Sequence, residues 1–267
     1  MVGGNQMTKN IFKTLGILLI TFLILSASYI VNLFLMKPLS MDHYLAKELV
    51  VELIDSPEAM TYVGIFDRFS WLTKHSSKLS IPTESDRNED ISELEDRLKI
   101  LQSYDINKLS DIQKTTREIA IFDTKNNLKN KKEFYYHDFP LNQIGGIHLS
   151  TVEFLNSMHP IRNLSEANAL VDRAFQIKAV FEGTRKSLER QAEIGIYPPG
   201  FVYDHVVEQL TSFIEYTDEE HPLFTQFVRK IQEINLTNED RSMLKEKLKN
   251  AIRTSVTPGF QLLLDFM

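Results

Sequence analysis

Seven histidines carry most of the chemical potential of this chain: His43, His75, His137, His148, His159, His205 and His221. Imidazole ligates metals and moves protons near neutral pH, so their spacing decides what they can do. None falls in an H-E-x-x-H pattern, which would put two zinc ligands and a base on one helical face. Two looser sets remain as metal candidates. His205 and Glu208 are three apart on an expected helix, and His148, Glu153 and His159 flank a short one. A catalytic zinc normally takes three protein ligands and an open position. Either set could join a metal site, but no metal, catalytic or cofactor-binding residue is assigned, and each histidine reads first as a hydrogen-bonded or surface side chain.

Other chemistries lack their residues. The chain has no cysteine, which excludes thiol catalysis, disulfides and thiolate-held metals. There is no G-x-S-x-G elbow and no glycine-rich phosphate loop. Glu182, Glu189 and Glu193 could supply paired carboxylates for acid–base work. Arg185, Lys186 and Arg190 interleave with them, which makes a salt-laced solvent face the simpler reading. The net charge of −6 over 267 residues argues against a nucleic-acid partner. The basic run from Lys125 to Lys132 reads as a solvated helix end.

The elements that must position these residues are helices. Glycine and proline are few, at 10 and 9, and no stretch alternates well enough for a strand. The fold class expected is all-α: an N-terminal transmembrane helix followed by an irregular multi-helix bundle. Ser40 opens a helix running to about Ser56. Pro57 to Pro82 is less regular, with Phe66, Phe69 and Trp71 expected to anchor a core there. Thr83 to Asn88 reads as a polar loop. Ile91, Leu94, Leu98 and Leu101 mark the next helix face. Ser110 with Gln113 forms a capping box for a helix carrying Ile112, Ile119 and Phe122, and Ser150 with Glu153 forms another. The longest soluble helix is expected after Ser165. Its face is Leu170, Ala174, Ile177, Phe181, Thr184 and Leu188, and Gly195 ends it. Pro198 and Pro199 open a helix with Val206, Leu210 and Phe213 on one side. Pro222 to Ile234 and Thr237 onward give two more, the last broken at Pro258-Gly259.

The two ends of the chain differ from the middle. Thr14 to Met36 has no charged residue and is long enough, at about 1.5 Å per residue, to cross a hydrocarbon core of about 30 Å. Of thirty basic residues, three lie in the first 37, while all 36 acidic residues come later. Lys9 and Lys13 precede the apolar run, which predicts a cytoplasmic tail at 1–13, an inner-membrane anchor at 14–36 and a body at 40–267 outside the cytoplasm. Ser26-Ala27-Ser28 offers a signal-peptidase site, but the apolar run continues past it, so an uncleaved anchor is preferred. At the other end, residues 260–267 form an amphipathic segment that stops at Phe266-Met267, as if packed on a further segment or a second chain.

Two stretches resemble a known family. FPLNQIGGIHLSTVEFL (Phe139–Leu155) and GIYPPGFVYDHVVEQL (Gly195–Leu210) are similar to motifs of the bacterial domain-of-unknown-function family 885, and Asp105 to Leu128 looks like the segment before the first motif. The resemblance covers roughly residues 41–267. It implies a helical, secreted or membrane-attached protein. It also implies a zinc-peptidase-like activity, because family members of about twice this length carry a histidine–glutamate metal motif in a C-terminal half. The chain resembles the N-terminal half, so the resemblance expects zinc only in that other half and no activity in this piece alone. The motif residues Pro140, Asn142, Gln143, Gly145, Gly146, Pro198, Pro199 and Gln209 are read as structural, fixing a tight turn and a helix start. The alternative is a stand-alone membrane-tethered binding or scaffold protein.

Overall fold

A computed structural model describes residues 3–267, with side chains from Ile11 onward except at Leu35, Phe69 and Ser70. The lysine at position 9 and the expected core role of Phe69 therefore lie outside the described residues. The described chain is helical, and no strand occurs among the described residues. The elements are α1 (Gly3–Leu35), α2 (Met41–Asp55), α3 (Pro57–Val63), a single turn α4 (Ser70–Thr73), α5 (Glu84–Ser103), α6 (Asp111–Lys129) and α7 (Ile147–Glu153). They continue as α8 (Leu164–Ala174), α9 (Ile177–Glu193), α10 (Gly200–Glu215), α11 (Pro222–Gln232), α12 (Asn238–Ala251) and α13 (Thr257–Leu264).

The backbone contacts divide the chain into two units. The first comprises the chain up to Val51 together with Glu95–Lys125. Here α1 carries an exposed apolar span from Ile11 to Phe34, long enough to cross a membrane. Its end is bracketed by Asn32, whose amide donates to the Lys37 carbonyl and accepts from the Leu39 N–H, both at 3.1 Å. A small core joins Met41, Tyr44, Leu101 and Tyr104. Arg117 closes the end of α5 by donating to the carbonyls of Leu101 and Gln102. The Ser110–Gln113 capping box forms as expected, with reciprocal bonds of 3.0 and 3.3 Å. The α6 helix carries Ile112, Ile119 and Phe122 as expected, and all three are exposed. Ala120 and Ile121 pack on the core instead.

The second unit comprises Glu52–Leu94 and Asn126–Met267. Its core is built on the predicted face: Leu170, Ala174, Ile177, Phe181, Thr184 and Leu188 are all buried. Phe260 of α13 meets Phe181 edge-on at 5.2 Å and stacks on Phe213 at 4.6 Å. Gly259 permits that approach, since a Cβ there would lie 3.1 Å from the Phe181 ring and 3.2 Å from the Lys178 Cα.

Four expectations change. Thr83–Asn88 is not a loop. The Thr83 hydroxyl accepts from the Asp86 N–H and Asp86 returns the bond to the Thr83 N–H, so α5 begins at Glu84. Ser150 does not start a helix: α7 begins at Ile147, with Gly146 at its N-cap, and the Ser150 N–H already donates to the Gly146 carbonyl. The long helix is two helices, α8 and α9, broken at Phe175–Gln176. The Ser255 hydroxyl enters the break, donating to the Phe175 carbonyl at 2.9 Å and accepting from the Lys178 N–H at 3.1 Å. Trp71 anchors no core, being 73% exposed.

Candidate functional site

The two sequence motifs meet at one buried point. Asn142 shapes the first. Its side-chain oxygen accepts from the amides of Ile144 and Gly145, and its NH₂ donates to the Phe139 carbonyl. The turn is completed by Gly146 N–H donating to the Asn142 carbonyl and Ile147 N–H donating to that of Pro140. Gly146 is the position with no room. A Cβ would lie 2.6 Å from the Asn142 carbonyl oxygen and 2.8 Å from the His148 ring, whereas nothing lies within 4 Å of one on Gly145. The turn delivers His148, fully buried, to Gln209 of α10. His148 Nε2 is 2.9 Å from Gln209 Oε1, and Gln209 Nε2 donates at 3.1 Å to the Gln143 carbonyl. Because the amide oxygen only accepts, His148 carries its proton on Nε2. Its Nδ1 is buried without a hydrogen-bond partner, and burial lowers its pKa. Pro199 caps α10 and accepts from the Val202 N–H, while Pro198 lines a small apolar pocket with Phe139, Tyr197 and Phe266.

The metal candidates do not converge. Glu153 is exposed and accepts from the Ser157 hydroxyl. His205 and Glu208 lie exposed on α10, while Gln209 reaches inward. His159 is buried elsewhere, against Arg173. Among the described residues no group of three histidines or carboxylates is placed to hold a metal.

Arg173 is the centre that spacing did not expose. It sits among the apolar positions Leu170, Ala174 and Ile177, and a cation on an apolar stripe is the signal that could have found it. Its side chain is fully buried. Nε donates to the Lys78 carbonyl, Nη2 to the Thr61 hydroxyl and the carbonyls of Pro57 and His75, and Nη1 to His159 Nδ1 at 2.7 Å. The Phe154 ring lies 4.8 Å from the guanidinium carbon. Burial pulls the Arg173 pKa down to about 10, so it stays charged at neutral pH. Since His159 Nδ1 accepts, its Nε2 carries the proton and donates to the Glu166 carbonyl at 2.9 Å. Burial first, and the adjacent guanidinium second, push His159 down to about 3. The arrangement ties residues 57–79 to α8 by a neutral imidazole and a charged fork. It holds structure and presents no reactive atom to solvent.

A ligand has more room at a cleft of about 570 Å³ in the same unit, walled by Lys131, Tyr135, His137, Asp138, Thr184 and Ser187 among others. Lys131 is paired with Asp90, and the Thr184 hydroxyl is spent on the Val180 carbonyl.

No curated protein matches this chain. Among solved structures, the crystal structure of a candidate lipoprotein from Colwellia psychrerythraea is similar, with a TM-score of 0.67 over 82% of this chain, at 16% identity. This chain spans 40% of that protein's length, and a likeness at this identity speaks to the fold alone. The family described as bacterial protein of unknown function (DUF885) matches residues 57–267, which include both motifs and the His148–Gln209–Gln143 node. The chain therefore belongs to the DUF885 family.

Proposed function

We propose that this is a single-pass, inner-membrane-anchored protein whose helical body lies outside the cytoplasm. On this reading the body is the structural, non-catalytic part of a zinc-peptidase-like assembly, inactive alone. The observation that carries the reading is the state of the two motifs. Asn142, Gln143, Gly146, His148 and Gln209 are used up holding a buried turn against α10, and the exposed Glu153, His205 and Glu208 of the same stretches do not converge on one point. The 40% coverage of the Colwellia protein supports a division in which chemistry would come from a further part of such a chain or from a second one. The anchor is supported by the exposed apolar span Ile11–Phe34. The test is to purify the full chain from membranes, titrate it with zinc and assay peptide cleavage. Stoichiometric zinc, with cleavage lost on His148→Ala or His205→Ala, would overturn it. Release of a shortened soluble form beginning near Tyr29 would overturn the anchor. A second reading, a tethered binding protein, is favoured by the exposed row Ile112, Ile119 and Phe122 on α6. A ligand or partner captured through that row by the full chain would support it.

A further inference from the structure

Within the first unit, a cleft of about 480 Å³ opens where α1 gives way to α2. Its walls include Lys37, Leu39, Ser40, Tyr104, Asp105, Lys108 and Gln113. We infer that this cleft seats the phosphate headgroup of an anionic phospholipid from the membrane that α1 crosses, a statement that rests on the anchor reading above.

Depth is the first argument. The apolar span ends at Phe34, and Lys37 follows three residues later. At most about 3.5 Å per residue keeps Lys37 within about 10 Å of the hydrocarbon edge. The headgroup layer on each side of a bilayer is about 5–8 Å deep. Rigidity is the second argument. The Asn32 bracket fixes Lys37 and Leu39 to the end of α1. The Lys37 ammonium donates to the Ser103 carbonyl at 2.8 Å and lies 4.7 Å from the Tyr104 ring centre, and the Tyr104 hydroxyl donates to the Pro38 carbonyl at 2.9 Å. The cleft is therefore held at the depth where the helix leaves the bilayer.

Charge is the third argument. Lys37 contacts only neutral groups, and among the described residues no ion pair is found for Lys108. The one carboxylate on the wall, Asp105, accepts from the Asn107 backbone and side-chain amides and is turned to its own loop. Asp42, at the start of α2, accepts from Gln113 at 2.7 Å. Two lysines thus line the cleft, and among the described residues no carboxylate is paired with either. Leu39, 83% exposed on its rim, is placed to meet acyl chain rather than water.

The experiment uses the full chain reconstituted in phosphatidylcholine vesicles doped with phosphatidylglycerol, then extracted in mild detergent and weighed by native mass spectrometry. Retention of phosphatidylglycerol is expected. Lys108→Gln, which breaks no bond in the fold, should lower it about fivefold, and Lys37→Gln with Lys108→Gln about twentyfold or more. Equal retention by folded wild type and Lys108→Gln would overturn the inference, as would displacement of the lipid by inorganic phosphate. Alkaline carbonate extraction separates the two readings. A chain that stays in the membrane but holds no lipid defeats only the headgroup site, and a chain that washes off defeats the anchor as well.

Discussion

Replacing Arg173 with methionine keeps much of the side-chain volume and removes the buried charge. Five acceptors then lose their donor: the carbonyls of Lys78, Pro57 and His75, the Thr61 hydroxyl and His159 Nδ1. Each bond to a charged donor is worth about 1.5–3 kcal/mol net. Against that sum stands the cost of burying the guanidinium, several kcal/mol, which the variant no longer bears. The balance is a loss of about 3–5 kcal/mol, the range seen when one member of a buried charged network is deleted. Urea unfolding at neutral pH measures it. An NMR titration of His159 supplies a second reading. Without the neighbouring cation its pKa should rise from about 3, and burial, the larger cause, should still hold it below the ordinary 6.5. A stability loss under about 1 kcal/mol, or a His159 pKa that does not move, would refute the view of Arg173 as the tie between residues 57–79 and α8.

Acid should unfold the body early. His75, His148, His159 and His221 all have pKa values below 6.5 in the fold, with His159 at about 3 and His221 at about 4, chiefly through burial. The folded state binds fewer protons than the unfolded one, so stability is complete above about pH 6.5 and falls as pH drops toward the folded values. Each such histidine contributes up to about 1.4 kcal/mol per pH unit, and a flat urea midpoint between pH 6.5 and 4 would contradict this. Gly146→Ala should cost about 1–3 kcal/mol because its Cβ meets the Asn142 backbone. Gly145→Ala, with open space, should be nearly neutral, and melting temperatures of the pair distinguish the two. Ser255→Ala leaves the Phe175 carbonyl and the Lys178 N–H without their partner and should lower stability by about 1–3 kcal/mol in the same urea assay.

Helical periodicity made most of the second unit legible, because the face from Leu170 to Leu188 follows one repeat and all of it is buried. The repeat does not register where the backbone breaks. Nothing local marks Phe175–Gln176, since the group that satisfies the break comes from Ser255. At Thr83 the cap was legible in principle, as a threonine three residues before an aspartate, but the polar run masked it. On α6 the large side chains Ile112, Ile119 and Phe122 stay exposed while Ala120 and Ile121 pack on the core, a choice that side-chain size alone does not reveal. The motif residues were readable as a turn and a helix start. That His148 and Gln209 join those two features was not, because a pairing across 61 positions leaves no trace in spacing.

The plug at the α8–α9 break also sets an order of events during synthesis. Ser255 follows Phe175 by 80 positions, and Gly259 and Phe260, which close the same core, come later still. A ribosome adding about 5–20 residues per second needs roughly 4–16 s to deliver them. For that interval α8 and α9 emerge with Phe181 uncovered and the chain between them unsatisfied. An early stop anywhere before Ser255 would leave a product with an open apolar stripe, a ready target for proteolytic clearance rather than a smaller stable domain.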